Sequence, residues 1–351
     1  MESPMARPLR IDVPGGWYHV TCRGNERQPV FRDDRDRRRF LELLAEWTER
    51  FGLLVHAYVL MTNHYHLLVE TPRANLSAAM QWLQVSYTMW FNRRHERAGH
   101  LFQGRFKAIV LDPETAAWEV SRYVHLNPVR VKALGLDKES RSARATDTTG
   151  AFEEGQVRQR LEALRKYAWS SCRAYVGSAS SPDWLTRKRI LRSAGGRSES
   201  DQMKAYREYV EQAIREGLPP SPWERLEAGI VLGGDHFVRR IRERLRGNPR
   251  EQPQLRDLQA RPKLEDVIAA VEGLKGRAWK EFRDEHGDWG RDLALYAARR
   301  YCGLTLRELA EAVGVDYGSV AVAVKRFGLR MDESKKLQGL LAKVKEKLSN
   351  V

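Results

Sequence analysis

Apolar and polar positions along the first part of the chain switch between a period of two and a period near 3.6, as strands and helices require. After a Pro-Gly-Gly turn, WYHVTCR (17–23) reads as a strand. In the next stretch Phe40, Leu43, Leu44 and Trp47 recur at helical spacing, with Asp33 or Asp34 as cap and Gly52 as stop. LLVHAYVLM and HYHLLVE are two β-rich runs joined at Thr62-Asn63. A second helix is expected from near Asn75 through Met80, Leu83, Tyr87 and Trp90, and GRFKAIVL gives a fourth strand. Asp112-Pro113-Glu114 then opens a third helix, with a cap, a proline in the first position and an acidic first turn. The order predicts an α+β protein built on a ferredoxin-like split βαβ unit, its antiparallel sheet covered on one face and open on the other.

Beyond this unit (1–136) the pattern changes. DKESRSARATDTTGAFEEG (137–155) is polar and reads as a surface insertion or linker. KYAWSSCRAYVG resumes order and closes a tail to 180. Residues 181–262 read as an all-α connector, Arg- and Glu-rich, with breaks at SAGGRSES and GLPPSPW and a hinge at 251–262. Residues 263–351 form an all-α domain of their own.

Charge narrows the function. The chain carries 61 Lys plus Arg against 46 Asp plus Glu, a net +15. Residues 1–180 hold +7 (27 basic, 20 acidic) and the remainder +8 (34 and 26), so the excess is no tail. Such a balance favours a polyanionic partner, nucleic acid before membrane. Cys22, Cys172 and Cys302 form no paired motif, which excludes a disulfide framework and a Cys-rich zinc site. The first residues lack an apolar signal core and no long apolar run exists, so the expectation is a cytoplasmic, nucleoid-associated protein without a membrane partner.

Candidate chemistry begins in Asn63-His64-Tyr65-His66-Leu67-Leu68-Val69-Glu70. Alternation puts His64, His66, Leu68 and Glu70 on one face, and Tyr65, Leu67 and Val69 on the other. Two imidazoles at i and i+2 on an open face can ligate one divalent ion, although most His-x-His pairs are surface or core histidines. The helix PETAAWEVSRYVHLNPVR carries Tyr123 and Asn127 at i and i+4 beside an apolar stripe of Ala117, Val120 and Val124. Pro128 ends that helix near Asn127. A phenol beside a two-histidine metal site in a basic protein suggests attack on a phosphodiester.

These residues resemble the HUH single-strand DNA transposases of the IS200/IS605 type, and more closely the REP-associated tyrosine transposases. The resemblance runs through residues 6–135 and again at 166–177: ARPLRIDVPGGWYHVTCRGNERQPVF, YVLMTNHYHLLVE, FNRRHERAGHLFQGRFKA, RYVHLNPVRVKALGL and YAWSSCRAY. It implies His64 and His66 as metal ligands, Tyr123 as nucleophile, and Asn127 in the place of a polar third ligand. The implied cofactor is Mg²⁺ or Mn²⁺, with Zn²⁺ not excluded by the donor set alone. The implied reaction is nicking and rejoining of single-stranded DNA hairpins through a 5′-phosphotyrosine, within one chain or between two copies. Tyr65, in the middle of the motif, is a second tyrosine.

Around the motifs, Arg23, Arg105, Lys107, Arg122 and Arg130 are candidate phosphate contacts. His19 is expected on the same face as His64 and His66, with a satisfied sheet histidine as the bland alternative. His125 reads as structural, and Trp90 and Phe91 as core. Near the C-terminus, LTLRELAEAVGVDYGSVAVAVKRFG reads as a helix-turn-helix: Leu306, Leu309 and Ala310 pack the first helix, and Gly314 turns. Val315, Val320 and Ala323 face inward from the second, and Asp316 caps it. Tyr317 and Ser319 would then face base edges, with Lys325 and Arg326 near the backbone of flanking duplex DNA. This segment (285–330) also resembles the DNA-binding domain of the bacterial replication initiator. Two further readings stay open: a non-catalytic DNA-binding regulator on the same fold, and a metal-dependent hydrolase that uses water.

Overall fold

The computed structural model describes residues 11–131, 134–135, 153–244 and 262–349. Most of the expected insertion at 137–155 and most of the 251–262 hinge lie outside the described residues. The chain divides into two compact units, Met1–Gln254 and Leu255–Val351.

The first unit is organised by a sheet in the order β2-β3-β1-β4-β5. Its strands are β1 (Gly16–Arg23), β2 (Leu54–Met61), β3 (His64–Thr71), β4 (Lys107–Leu111) and β5 (Val231–Leu232). The first four run antiparallel, and the two-residue β5 joins parallel to β4. Helices α1 (Asp34–Phe51) and α2 (Leu76–Arg94) complete the split βαβ arrangement that the sequence predicts.

Local chemistry sets these boundaries. The Asp33 carboxylate accepts from the backbone N–H of Arg35 and Asp36 at the start of α1, and Gly52, at φ 66°, ends it in the left-handed conformation. Phe40, Leu43, Leu44 and Trp47 are buried toward the sheet. Tyr65 packs on this side, its ring 4.8 Å from Phe40.

The opposite face is covered, not open. Trp17, Ala57, Val59 and Leu68 from the sheet share one buried cluster with Val120 and Val124 of α3 (Ala117–Leu126). The cluster also draws on α4 (Glu154–Lys166), α5 (Cys172–Tyr175), α6 (Lys188–Arg192) and α7 (Glu199–Arg215). Tyr206, Val210, Ala213 and Ile214 of α7 form an apolar stripe that must be buried somewhere. Each such large side chain contributes roughly 1.5–3 kcal/mol on burial, and the second face of the sheet provides the site. The stretch from 181 to 244 is therefore part of this unit rather than a detached connector, and it contains a strand, β5. Helix α8 (Asp235–Arg244) follows.

Two details of α3 differ from the sequence expectation. The Asp112 carboxylate accepts from the Glu114 N–H and the Thr115 hydroxyl, which holds a turn and delays the helix to Ala117. Asn127 stays in right-handed helical geometry despite preceding Pro128, and the chain tightens into a 3₁₀ turn, Asn127–Val129. The YAWSSCRAY block runs along the outer edge of β2: the Leu60 N–H donates to Trp169 O, and the Ser171 N–H to Tyr58 O. An edge that would otherwise expose unpaired backbone is thereby closed.

The second unit is all-helical: α9 (Leu264–Lys275), α10 (Trp279–Phe282), α11 (Trp289–Tyr301), α12 (Leu306–Val313), α13 (Tyr317–Glu333) and α14 (Lys335–Ser349). Gly314, at φ 68°, makes the turn between α12 and α13, and Asp316 caps α13 by accepting from the Ser319 N–H. Leu309, Ala310, Val313, Val320, Ala323 and Phe327 share its buried core.

Candidate active site

Sheet register assembles the site. His66 of β3 lies opposite Thr21 of β1, which in turn lies opposite Lys107 of β4, and His64 lies opposite Arg23. Cross-strand partners share a face, so His64, His66, His19, Arg23 and Lys107 all belong to the side that carries α3. Tyr65 belongs to the other side, fully buried, with its hydroxyl pushed well above its ordinary range by burial. The second tyrosine of the motif is thereby removed from the chemistry.

The two histidine rings stand 5.1 Å apart with their planes at 76°. Asn63 fixes the first of them. Its Nδ2 donates to Arg27 O at 3.0 Å, which turns Oδ1 toward His64 Nδ1 at 2.7 Å. Since Oδ1 only accepts, His64 carries its proton on Nδ1 and keeps the lone pair on Nε2. His66 Nδ1 sits 2.9 Å from His19 Nε2. Burial, helped by the nearby Arg23 charge, pushes His64 down to about 4. His66 is held well below 6.5 by burial, then by its histidine neighbours and the charges of Arg23 and Arg130. Both rings are neutral at neutral pH, the form in which imidazole ligates a metal.

Tyr123 comes to this pair from α3. Its ring lies 6.0 Å from that of His66 and 6.0 Å from that of His19, edge-on to both. The Arg130 guanidinium lies over its face, 4.4 Å from the centroid. Asn127 donates its amide N–H to Tyr123 O at 2.9 Å, which closes the end of α3 and leaves Oδ1 as the one amide atom able to ligate. A two-imidazole donor set with its second nitrogens tied fits a divalent ion. Two imidazoles bound at about 2.1 Å to one ion hold their centroids about 4.5–5.3 Å apart, and the observed spacing falls in that span. Among the described residues, no group of three or more His, Cys, Asp or Glu gathers into a fuller cage.

The other sequence candidates separate. Arg23, Arg105 and Lys107 are exposed. Arg122 instead stacks on Tyr209, 3.8 Å from its centroid. His125 is fully buried and satisfied, its Nδ1 at 2.7 Å from the Tyr206 hydroxyl and its Nε2 at 2.7 Å from Ser171 Oγ, as a structural histidine should be. Phe91 is core, and Trp90 is half-buried beneath the Arg94 guanidinium. In the second unit Tyr317 and Lys325 are exposed and Ser319 is half-buried. Arg326 is committed elsewhere: its Nε and Nη2 donate to the two oxygens of buried Asp292, each at 2.7 Å.

Trp223 escaped the sequence reading. It sits in the 3₁₀ turn Pro222–Arg225, stacked on His19 at 4.5 Å and edge-on to Tyr123 at 5.0 Å. The Glu224 carboxylate accepts from the Ser221 N–H at 3.2 Å, and Arg225 pairs with Glu119 of α3. The Ser-x-x-Glu spacing around Pro222 was the available signal.

Residues 12–127 match the family model described as "Transposase IS200 like". This segment is similar to that family. The matched segment takes in His64, His66, Tyr123 and Asn127, whereas Trp223 lies outside it. A solved REP-associated tyrosine transposase bound to a REP hairpin is similar over 52% of this chain and 92% of that one, at 14% identity and a TM-score of 0.35. No curated protein matches the chain.

Proposed function

We propose that the protein nicks and rejoins single-stranded DNA at hairpin sequences, with Tyr123 as nucleophile and His64 and His66 holding a divalent ion, Mg²⁺ or Mn²⁺. The observation that carries this reading is the His66 ring lying 5.1 Å from that of His64 and 6.0 Å from that of Tyr123. Asn127 Oδ1 is the third protein ligand in this reading. A bound ion there supplies Lewis-acid polarisation of the scissile phosphate.

The protein's own groups do the rest. The Tyr123 hydroxyl oxygen attacks the phosphorus in line and gives up its proton. The bond to the 3′-oxygen breaks, and that oxygen leaves as a 3′-hydroxyl after taking a proton, while the 5′-phosphate stays on the tyrosine. A second 3′-hydroxyl reverses the step and joins strands, so no nucleotide cofactor is consumed. Arg130, above the phenol, places a positive charge beside the reacting phosphate. Arg23 and Lys107, exposed on the same face, track the flanking backbone, and Arg105 adds to them. The second unit binds duplex DNA through α13, with Tyr317 and Ser319 at its first turn and Lys325 on its exposed face.

The test is incubation of the full chain with a labelled hairpin oligonucleotide, with and without divalent metal. A covalent adduct that needs metal and vanishes in Tyr123→Phe is expected. Cleavage without an adduct would point to a hydrolase, and binding without cleavage to a regulator; either result would replace this reading.

A further inference from the structure

We propose that His19 is a positioning residue for His66: it accepts the His66 Nδ1 proton, so that His66 Nε2 is the nitrogen presented to a divalent ion. The inference rests on the reading of His64 and His66 as ligands and extends it to a residue one strand away.

The observations distinguish this role from packing. His19 is 3% exposed, and its Nε2 lies 2.9 Å from His66 Nδ1. Its other nitrogen, Nδ1, is buried with no hydrogen-bond partner among the described residues. A histidine kept only to fill the sheet would pair both nitrogens, as His125 does through Tyr206 and Ser171, or be replaced by an apolar ring. Burying an orphaned polar atom costs stability, and such atoms persist where the group has another task. Among the described residues, the single side-chain hydrogen bond His19 makes is to a proposed ligand.

Two further contacts hold the ring in place. The Trp223 indole stacks on it at 4.5 Å with 21° between planes, and Tyr123 meets its edge at 6.0 Å. Rotation of His19 would therefore disturb the nucleophile and the ligand together. The chemistry matches the other half of the site, where Asn63 Oδ1 accepts the His64 Nδ1 proton. A ligating imidazole whose second nitrogen is tied has one tautomer and one orientation, and losing such a partner typically weakens metal binding 10- to 100-fold.

The test uses His19→Phe, which keeps an aromatic ring against Trp223 and removes both nitrogens. Mn²⁺ is titrated into the full-length parent and variant, with free ion followed by electron paramagnetic resonance. The variant is expected to bind about 10- to 100-fold more weakly with thermal stability little changed, since the orphaned His19 Nδ1 goes while His66 Nδ1 loses its partner. Affinity within twofold of the parent overturns the proposal. A second measurement needs neither metal nor activity: ¹⁵N-histidine NMR of the metal-free parent should show His66 protonated on Nδ1, and an Nε2–H form would also overturn it. If the parent binds no Mn²⁺, the metal-site reading of His64 and His66 fails, and the tautomer of His66 still decides the role of His19. The parent spectrum likewise decides if His19→Phe does not fold.

Discussion

The Arg130 guanidinium lies across the face of the Tyr123 ring, 4.4 Å from its centroid, so a fixed positive charge accompanies the phenol. Tyr123 stands on the last turns of α3 and Arg130 follows the 3₁₀ turn that ends it. In the proposed reaction a cation here would serve the negative charge that gathers on the phosphate during attack. Arg130→Ala should slow adduct formation by about 10- to 100-fold, with Arg130→Lys in between. Single-turnover cleavage of a labelled oligonucleotide reads both.

One hydroxyl joins α7 to α3 over the second face of the sheet. Tyr206 Oη is 2.7 Å from His125 Nδ1 and 2.9 Å from Ser121 Oγ, all three buried. Tyr206→Phe leaves buried His125 Nδ1 without its partner, while Ser121 Oγ keeps Trp118 O, at a cost of about 1–3 kcal/mol. Urea unfolding of the full chain should show this loss in the transition of the first unit, with Mn²⁺ affinity unchanged.

Acid should weaken that unit at a higher pH than carboxylate titration alone would. Burial pushes His125 from 6.5 down to about 3, and His19 likewise to about 3. The unfolded chain takes up these protons near pH 6.5 and the folded chain does not, so stability complete above that pH is lost as pH falls toward 3. Each ring contributes a slope of up to about 1.4 kcal/mol per pH unit. Urea midpoints at pH 7, 6 and 5 should fall in this sense, with His64 and His66 adding to the slope, and His19→Phe should remove its own share.

In the second unit, neighbouring basic residues should separate cleanly. Arg326 is bonded to Asp292, which is 1% exposed, whereas Lys325 is exposed. Removing one partner of a buried ion pair costs about 3–5 kcal/mol. Arg326→Ala should therefore lower the thermal transition of this unit, while Lys325→Ala leaves it unchanged and lessens the salt dependence of duplex binding by about one counterion. Fluorescence anisotropy at several salt concentrations distinguishes the two.

Short-range patterns in the sequence were enough to place most of the first unit. Asp33 and Gly52 bound α1 because a cap and a left-handed stop are local properties, and alternation alone sets His64 and His66 apart from Tyr65. What stayed hidden depends on long-range pairing. The apolar stripe of α7 advertises a buried face without saying that its partner is a sheet some 150 residues earlier in the chain. The two residues of β5 are too few for any periodicity to register. Arg326 looks like a surface cation until Asp292, from another helix, is placed beside it. Trp223 is one aromatic in a proline-rich break, and only the fold brings it against His19 and Tyr123.

The most direct test of the central claim is to locate the covalent bond. The protein is trapped with a hairpin oligonucleotide in Mn²⁺, digested with nuclease and protease, and mapped by mass spectrometry. The account predicts a single nucleotide adduct on Tyr123, joined through the 5′-phosphate, with the released strand ending in a 3′-hydroxyl. An adduct on any other residue, or cleaved DNA with free 5′-phosphates and an unmodified Tyr123, would contradict it.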